Sequence, residues 1–143
     1  MSELKYKKHN VSVLLYHLVC PTKYRRSVIS EEVDLKLREI CAEISNRYEI
    51  DFLEVGTDSD HVHFLVQSVP MYSPTKIVRV IKSLTAKELF KQRPEIKKQL
   101  WGGQFWSDGY YIGTVGTSQS EEMMKQYVAN QGQTEESIQP MLF

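Results

Sequence analysis

Little in this chain of 143 residues points to a membrane or to the cell exterior. No run of some 18 apolar residues occurs, so no transmembrane helix is expected. The opening residues, Met1-Ser2-Glu3-Leu4-Lys5-Tyr6-Lys7-Lys8, are polar and lack the apolar centre of a signal peptide. Only two cysteines are present, Cys20 and Cys41. They form neither a metal-binding nor a redox spacing and fall at positions that read as core, so both are expected as buried free thiols in a reducing cytoplasm. Net charge is missing as well: 18 basic residues face 18 acidic ones. A neutral chain argues against a protein that coats nucleic acid indiscriminately. There is no internal repeat, no low-complexity segment and no second domain. What remains, 41% apolar and 25% charged residues, is the composition of one ordinary globular domain with a real core.

The zero sum hides an uneven distribution. Residues 1–26 carry Lys5, Lys7, Lys8, Lys23, Arg25 and Arg26 against Glu3 alone, a balance of +5. Residues 76–98 carry eight basic side chains against Glu88 and Glu95, a balance of +6. Separated basic patches on a neutral chain suit a protein that holds an anionic polymer along a defined track. Lys23, Arg25, Arg26, Lys76, Arg79 and Lys82 are the candidate phosphate contacts, and solvated surface lysines and arginines are the bland alternative.

Along the chain, His9 to Cys20 is apolar and β-branched and predicts a first strand closed by Pro21. Ser30 is a capping residue followed by Glu31 and Glu32, where the helix dipole favours acids. Val33, Leu37, Ile40, Cys41, Ile44 and Tyr48 then recur at helical spacing. A strand over residues 50–57 and the run Ser59-Asp60-His61-Val62-His63-Phe64-Leu65-Val66 are separated by a short polar link, which predicts a hairpin. Ser73-Pro74 opens a second helix, running to about Lys91, that buries Ile77, Ile81 and Leu84. Residues 93–103 read as an irregular connection, and 105–115 as a strand interrupted at Asp108-Gly109. Ser118-Gln119-Ser120-Glu121 has capping-box spacing and starts a helix that ends at Gly132. The order is β-α-β-β-α-β plus a C-terminal helix. This is the ferredoxin-like or RRM-like α+β pattern: an antiparallel sheet with its helices on one face. Many activities use that fold, so topology does not decide among them.

The residues that carry chemistry lie far apart in the sequence. In a strand, positions i and i+2 share a face, so His61 and His63 stand side by side while Val62 and Phe64 point the other way. Neighbouring imidazoles with nearby oxygen ligands can hold a divalent metal. Tyr127 and Gln131 are four apart and share a helical face. Alone, a His-x-His pair is more often two tolerated histidines, and a helical tyrosine is more often packing. A phenol and an amide brought to a two-histidine metal site suggest phosphoryl transfer through a tyrosine nucleophile. Free phenol has a pKa of about 10, so the reaction needs a cation on the scissile phosphate to offset developing charge. Two imidazoles and one amide oxygen leave room for phosphate and water, unlike a closed four-ligand zinc site.

With these residues in view, the chain resembles the small single-tyrosine HUH transposases of bacterial and archaeal insertion sequences, the TnpA class. The matching residues span most of the chain: His17-Leu18-Val19, Thr22-Lys23-Tyr24-Arg25, Asp60-His61-Val62-His63-Phe64-Leu65 and Ser83. They continue through Phe105-Trp106-Ser107-Asp108-Gly109-Tyr110-Tyr111, Thr114-Val115-Gly116 and Tyr127-Val128-Ala129-Asn130-Gln131. The tyrosine follows the histidine motif, whereas in conjugative relaxases it precedes it. The resemblance implies that His61, His63 and Gln131 bind magnesium or manganese and that Tyr127 is the nucleophile. It implies 5′-phosphotyrosine chemistry on single-stranded DNA, recognition of hairpins at element ends, and a homodimer. In that dimer the tyrosine helix of one subunit can serve the histidines of the other. Residues 1–132 would form the catalytic domain and 133–143 a short tail. Cys20-Pro21 departs from the family, where an aromatic and a β-branched residue are more usual.

Other residues carry milder expectations. Trp101, Trp106, Tyr110 and Tyr111 offer faces for base stacking, with core or dimer packing the stronger reading for most of them. His9 and His17 lack partners in the pattern and read as structural. Asp60 either orients a histidine or serves the turn. Two other readings use the same residues or the same fold: a domesticated repeat-associated nuclease or replication initiator, and a non-catalytic RNA-binding domain.

Overall fold

The computed structural model describes residues 5–7, 10–12, 14–100 and 103–115. The expected C-terminal helix with Tyr127 and Gln131, the tail 133–143, and also His9 and Trp101 lie outside the described residues. Strands β1 (Lys5–Lys7) and β2 (Asn10–Ser12) pair antiparallel as a small sheet of their own. The main sheet holds β3 (Leu14–Pro21), β4 (Asp51–Asp58), β5 (His61–Ser68) and β6 (Tyr111–Val115) in the order β4-β5-β3-β6, every neighbour antiparallel. Helices α1 (Glu31–Arg47) and α2 (Pro74–Gln92) form the crossovers, and a short α3 (Glu95–Gln99) follows. This is the expected split βαβ arrangement in an α+β fold.

Local chemistry explains the helix starts. The Ser30 hydroxyl accepts from the Val33 N–H at 3.3 Å, and the Ser73 hydroxyl accepts from the Lys76 N–H at 3.0 Å. Pro74 occupies the first turn, where its missing N–H costs nothing. Both helices pack on one face of the sheet. Leu18 and Cys20 of β3 and Val62, Phe64 and Val66 of β5 meet Leu37, Ile40 and Ile44 of α1 and Ile77 and Ile81 of α2 in one core. Of the expected stripes, Tyr48 and Leu84 are only half-buried; the rest are buried. The opposite face has a small separate cluster of Leu15, Leu65 and Val115 with no residue from α1 or α2 in it. No described helix is long and apolar enough to cross a membrane.

Three boundaries differ from the sequence expectation. The first apolar run is divided: Asn10–Ser12 pairs with Lys5–Lys7, and only Leu14–Pro21 enters the main sheet. Residues 93–103 include α3, held because Ile96 and Leu100 bury themselves in the core. The last run forms a strand only from Tyr111. Its earlier part leaves the sheet after a single bridge between Trp106 and Thr22, and the Gly109 N–H turns back to the Ser107 hydroxyl at 3.2 Å.

Trp106 is anchored from two sides. Its backbone bridges Thr22, and its indole N–H donates to the Thr85 hydroxyl at 2.8 Å, which itself donates to the Ile81 carbonyl at 2.6 Å. Thr85→Val keeps the shape but strands the buried indole N–H, at an expected cost of about 1–3 kcal/mol. Urea unfolding should show a lower midpoint at unchanged slope, with Thr85→Ser close to wild type. A midpoint unchanged in Thr85→Val would show that this bond contributes nothing.

Candidate functional site

The pairing of β3 with β5 sets Val19 opposite His63 and His17 opposite Leu65. With side chains alternating along each strand, His17, His61 and His63 all leave the sheet on the face away from α1 and α2. All three are buried, none more than 1% exposed. The rings of His61 and His63 lie 5.0 Å apart and nearly perpendicular, while the His17 ring lies 5.6 Å from that of His63, within 15° of parallel. His17 Nε2 lies 3.4 Å from His63 Nδ1. This corrects the reading of His17 as a histidine without a partner. Its place in the site follows from the register of a strand 46 residues away, and strand alternation hinted only that it shares a face with Leu15 and Val19.

Asp60 serves both purposes raised for it. It sits in the turn between β4 and β5, and its Oδ1 lies 2.8 Å from His61 Nδ1 while its Oδ2 pairs with Arg25 at 3.2 Å. Burial by itself raises the Asp60 carboxyl, but the hydrogen bonds from His61 and Arg25 outweigh it and hold the group below its ordinary value. An ionised carboxylate only accepts, so His61 Nδ1 carries the proton, and in the neutral ring Nε2 is then the nitrogen with a lone pair. His61 Nε2 and His63 Nε2 are both buried, and neither has a hydrogen-bond partner among the described residues. Unpaired buried polar atoms are rare in folded proteins, and a divalent cation would satisfy both nitrogens where each is bare. The donor set therefore fits a metal that takes imidazole nitrogen and leaves other positions for oxygen. Among the described residues no group of three His, Cys, Asp or Glu side chains is arranged to hold one. The expected third ligand, Gln131, and the expected nucleophile, Tyr127, lie outside the described residues.

The loop after β3 is clamped to the Asp60 turn. Thr22 N–H donates to the Asp60 carbonyl at 2.9 Å, Ile29 N–H to the Ser59 carbonyl at 3.0 Å, and Lys23 N–H to the Phe105 carbonyl at 2.8 Å. Within it, Tyr24 and Arg25 take left-handed φ values of 57° and 53°. Such conformations cost non-glycine residues free energy and persist only when the surroundings over-determine them. The Cys20-Pro21 departure leaves this loop intact: Cys20 is buried on the helix side, and the Pro21 carbonyl accepts from the Ser107 N–H at 2.9 Å. Burial pushes the Cys20 and Cys41 thiols up to about 12, against the opposing charges of Lys82 and Arg38. Both are inert buried thiols, as expected.

The candidate phosphate contacts fall in two places. Lys23, Arg25 and Arg26 sit on the loop beside Asp60, with Arg25 committed to that carboxylate. Lys76, Arg79 and Lys82 lie on α2, Lys76 over the Tyr72 ring at 4.6 Å. Arg79 and Lys82 line an open groove of about 500 Å³ between α2 and residues 103–110. Lys82 donates to the Ser107 carbonyl at 2.8 Å and lies 5.3 Å from the Tyr110 ring, so one of its three donors is already used. Of the candidate stacking residues, Trp106 is buried core, Tyr111 edges against His17 at 5.8 Å, and Tyr110 is exposed.

Comparison with known proteins gives consistent relatives. The sequence pattern of the family described as "Transposase IS200 like" matches residues 10–131. The ISDra2 transposase TnpA of Deinococcus radiodurans is 31% identical over 129 residues, covering 90% of this chain and 91% of that protein. The transposase for insertion sequence element IS200 of Salmonella typhimurium is 27% identical over 116 residues, 81% of this chain and 75% of that one. In three dimensions, a Deinococcus radiodurans transposase structure superposes with a TM-score of 0.71 at 29% identity, covering 89% of this chain and 97% of that one. A REP-associated tyrosine transposase bound to a REP hairpin shares the fold, with a TM-score of 0.60 at 11% identity over 92% of this chain and 72% of that one.

Burial also sets a pH response. Desolvation lowers His17 to about 4, and desolvation followed by the charges of His61 and His17 lowers His63 to about 2. An unfolded histidine titrates near 6.5, so between about 6.5 and 4 the unfolded chain binds more protons and stability falls as pH drops. Measured in EDTA, wild type should lose stability across this window. His17→Gln should flatten the slope by up to about 1.4 kcal/mol per pH unit, the limit for one proton. Identical slopes would show that His17 is not held neutral by the fold.

Proposed function

Because this chain belongs to the IS200-like transposase family, we propose that it cuts and rejoins single-stranded DNA at the ends of an insertion sequence, with Tyr127 as the nucleophile. The observation that carries this reading is the pair of buried imidazole nitrogens, His61 Nε2 and His63 Nε2, on neighbouring rings and without hydrogen-bond partners among the described residues. His61 and His63, with the Gln131 side-chain oxygen, would hold Mg²⁺ or Mn²⁺ at the scissile phosphate. When bound, such a cation offsets the charge that builds on the phosphate oxygens and on the departing 3′ oxygen.

The chain's own groups do the rest. Tyr127 Oη bonds to phosphorus as the bond from phosphorus to the 3′ oxygen breaks. The phenol loses a proton and the 3′ oxygen gains one, giving a 5′-phosphotyrosine and a free 3′-OH. The bond energy is kept in the phosphotyrosine, so a 3′-OH can later attack the junction and reseal the strand without ATP. Asp60 and Arg25 hold the His61 ring throughout.

Hairpins at the element ends are the proposed DNA partner. Two separated basic regions support this, one on the 23–26 loop beside the histidines and one along α2 with Lys76, Arg79 and Lys82. A protein of the same fold is known with a REP hairpin bound. Residues 1–132 would form the catalytic domain, working as a homodimer in the cytoplasm. Tyr127 and Gln131 would travel on one helix, so a partner subunit could receive nucleophile and third ligand together.

Tyr127→Phe removes one oxygen and little packing. It should abolish covalent protein–DNA adducts on a labelled hairpin-bearing strand while hairpin binding in EDTA survives. A 5′-linked adduct formed by that variant would reject Tyr127 as nucleophile.

Mixing tests the shared site. Tyr127→Phe subunits and His61→Ala/His63→Ala subunits should each be inactive alone. Sites built in trans give a mixed dimer one intact centre, with cleavage restored and the adduct on the histidine-mutant subunit. Verified mixed dimers that stay inactive would place each site within one chain.

A further inference from the structure

His61 and His63 face the same requirement and meet it differently. A neutral imidazole carries one N–H, and only its bare nitrogen can bind a metal. In solution the proton of a neutral histidine prefers Nε2. Presenting Nε2 to a cation therefore requires an acceptor that draws the proton to Nδ1, the task that partners behind metal-bound histidines commonly perform. For His61 the acceptor is the Asp60 carboxylate at 2.8 Å. For His63, the side-chain group facing Nδ1 is His17 Nε2 at 3.4 Å.

We propose that His17 is a positioning residue for the metal centre, accepting from His63 Nδ1–H so that His63 Nε2 is left bare for the cation, as Asp60 leaves His61 Nε2. The inference rests on the reading of His61 and His63 as metal ligands. Several features favour it over simple packing. The His17 and His63 rings lie within 15° of parallel with centroids 5.6 Å apart, so their nitrogens meet edge to edge, the in-plane approach that an N–H···N bond requires. Tyr111 closes on His17 edge-on at 5.8 Å and braces it from β6. His17 Nε2 points at a ring nitrogen of His63, which makes His17 a support for a ligand. The bond is longer than the one to Asp60 and its acceptor is neutral, so it biases the tautomer without adding a second buried negative charge. With Nε2 accepting, the proton of His17 sits on its own Nδ1. Three histidines and one aspartate thus divide into two ligand-and-support pairs, Asp60 with His61 and His17 with His63.

The test uses the full chain and two readouts. Long-range ¹H–¹⁵N spectra of the protein in EDTA report which nitrogen of His63 bears the proton, and Mn²⁺ titration followed by electron paramagnetic resonance reports affinity. Wild type should show His63 as the Nδ1–H tautomer. His17→Phe keeps an aromatic ring at this position but no acceptor. It should shift His63 towards the Nε2–H form and weaken Mn²⁺ by about 10–100-fold, the usual loss when such a support is removed. His17→Gln places an amide oxygen within reach of the former Nε2 position, and it should restore both the tautomer and most of the affinity. If wild-type His63 carries its proton on Nε2, the inference is overturned whatever the variants do. Equal Mn²⁺ affinity in His17→Phe and wild type overturns it too, as does a His17→Gln protein that binds as weakly as His17→Phe with the tautomer unchanged. The metal reading fails separately, if His61→Ala/His63→Ala binds Mn²⁺ like wild type, and the tautomer measurement still decides what His17 does.

Discussion

The register between β3 and β5 is the constraint on which the rest of this protein depends. It sets Val19 against His63 and Leu18 against Phe64, and so assigns each side chain of the two central strands to one face. Side chains alternate with a period of two, so a slip of one residue would turn the histidines into the helix-packed core and Phe64 out of it. The cost of that exchange protects the site. Leu18, Val62, Phe64 and Val66 are fully buried against the helices, and burying one such side chain is worth about 1.5–3 kcal/mol. The apolar face thus holds the polar face in place.

Burying imidazoles carries a requirement that the surroundings meet in detail. Desolvation favours the neutral ring, and a neutral ring needs its single proton placed. The Asp60 turn does this for His61, and the turn is fixed in its own right. Thr22 and Ile29 bond to its carbonyls, and Arg25 binds the carboxylate oxygen that His61 does not use. The left-handed backbone at Tyr24 and Arg25 brings that guanidinium back over the turn. Trp106, tied to Thr22 at the backbone and to Thr85 through its indole, pins the loop from the helix side. A chain of contacts therefore runs from the core of α2 to the ring of a proposed metal ligand.

The fold divides labour between its faces. Stability comes from α1 and α2 on one side, and the titratable cluster of His17, His61 and His63 stands on the other. The basic residues follow the same division. Those of the 23–26 loop lie next to Asp60, within the histidine neighbourhood, while Arg79 and Lys82 border a groove against α2. Membership of the IS200-like transposase family fits a scaffold of this kind, in which the helix-packed face supplies rigidity and the proposed chemistry lies on the other.

Much was legible in the sequence because it is local. The Ser30 and Ser73 caps bond to N–H groups three residues on, and a hairpin joins β4 to β5 over a two-residue turn. His61 and His63 share a face because any strand alternates. These features need no knowledge of the remaining chain. Other features depend on partners far away, and only the tertiary structure decided them. The apolar run from residue 9 looked like one strand, yet pairing split it between two sheets. The segment before Tyr111 had a strand pattern but gave its tryptophan to the core. Asp60 and His17 could not be assigned in the sequence, since each acquires its partners by folding: Arg25 lies 35 positions from Asp60 and His63 lies 46 from His17. Local periodicity tells which way a side chain points; what it points at is settled by register, the outcome of packing the whole sheet at once.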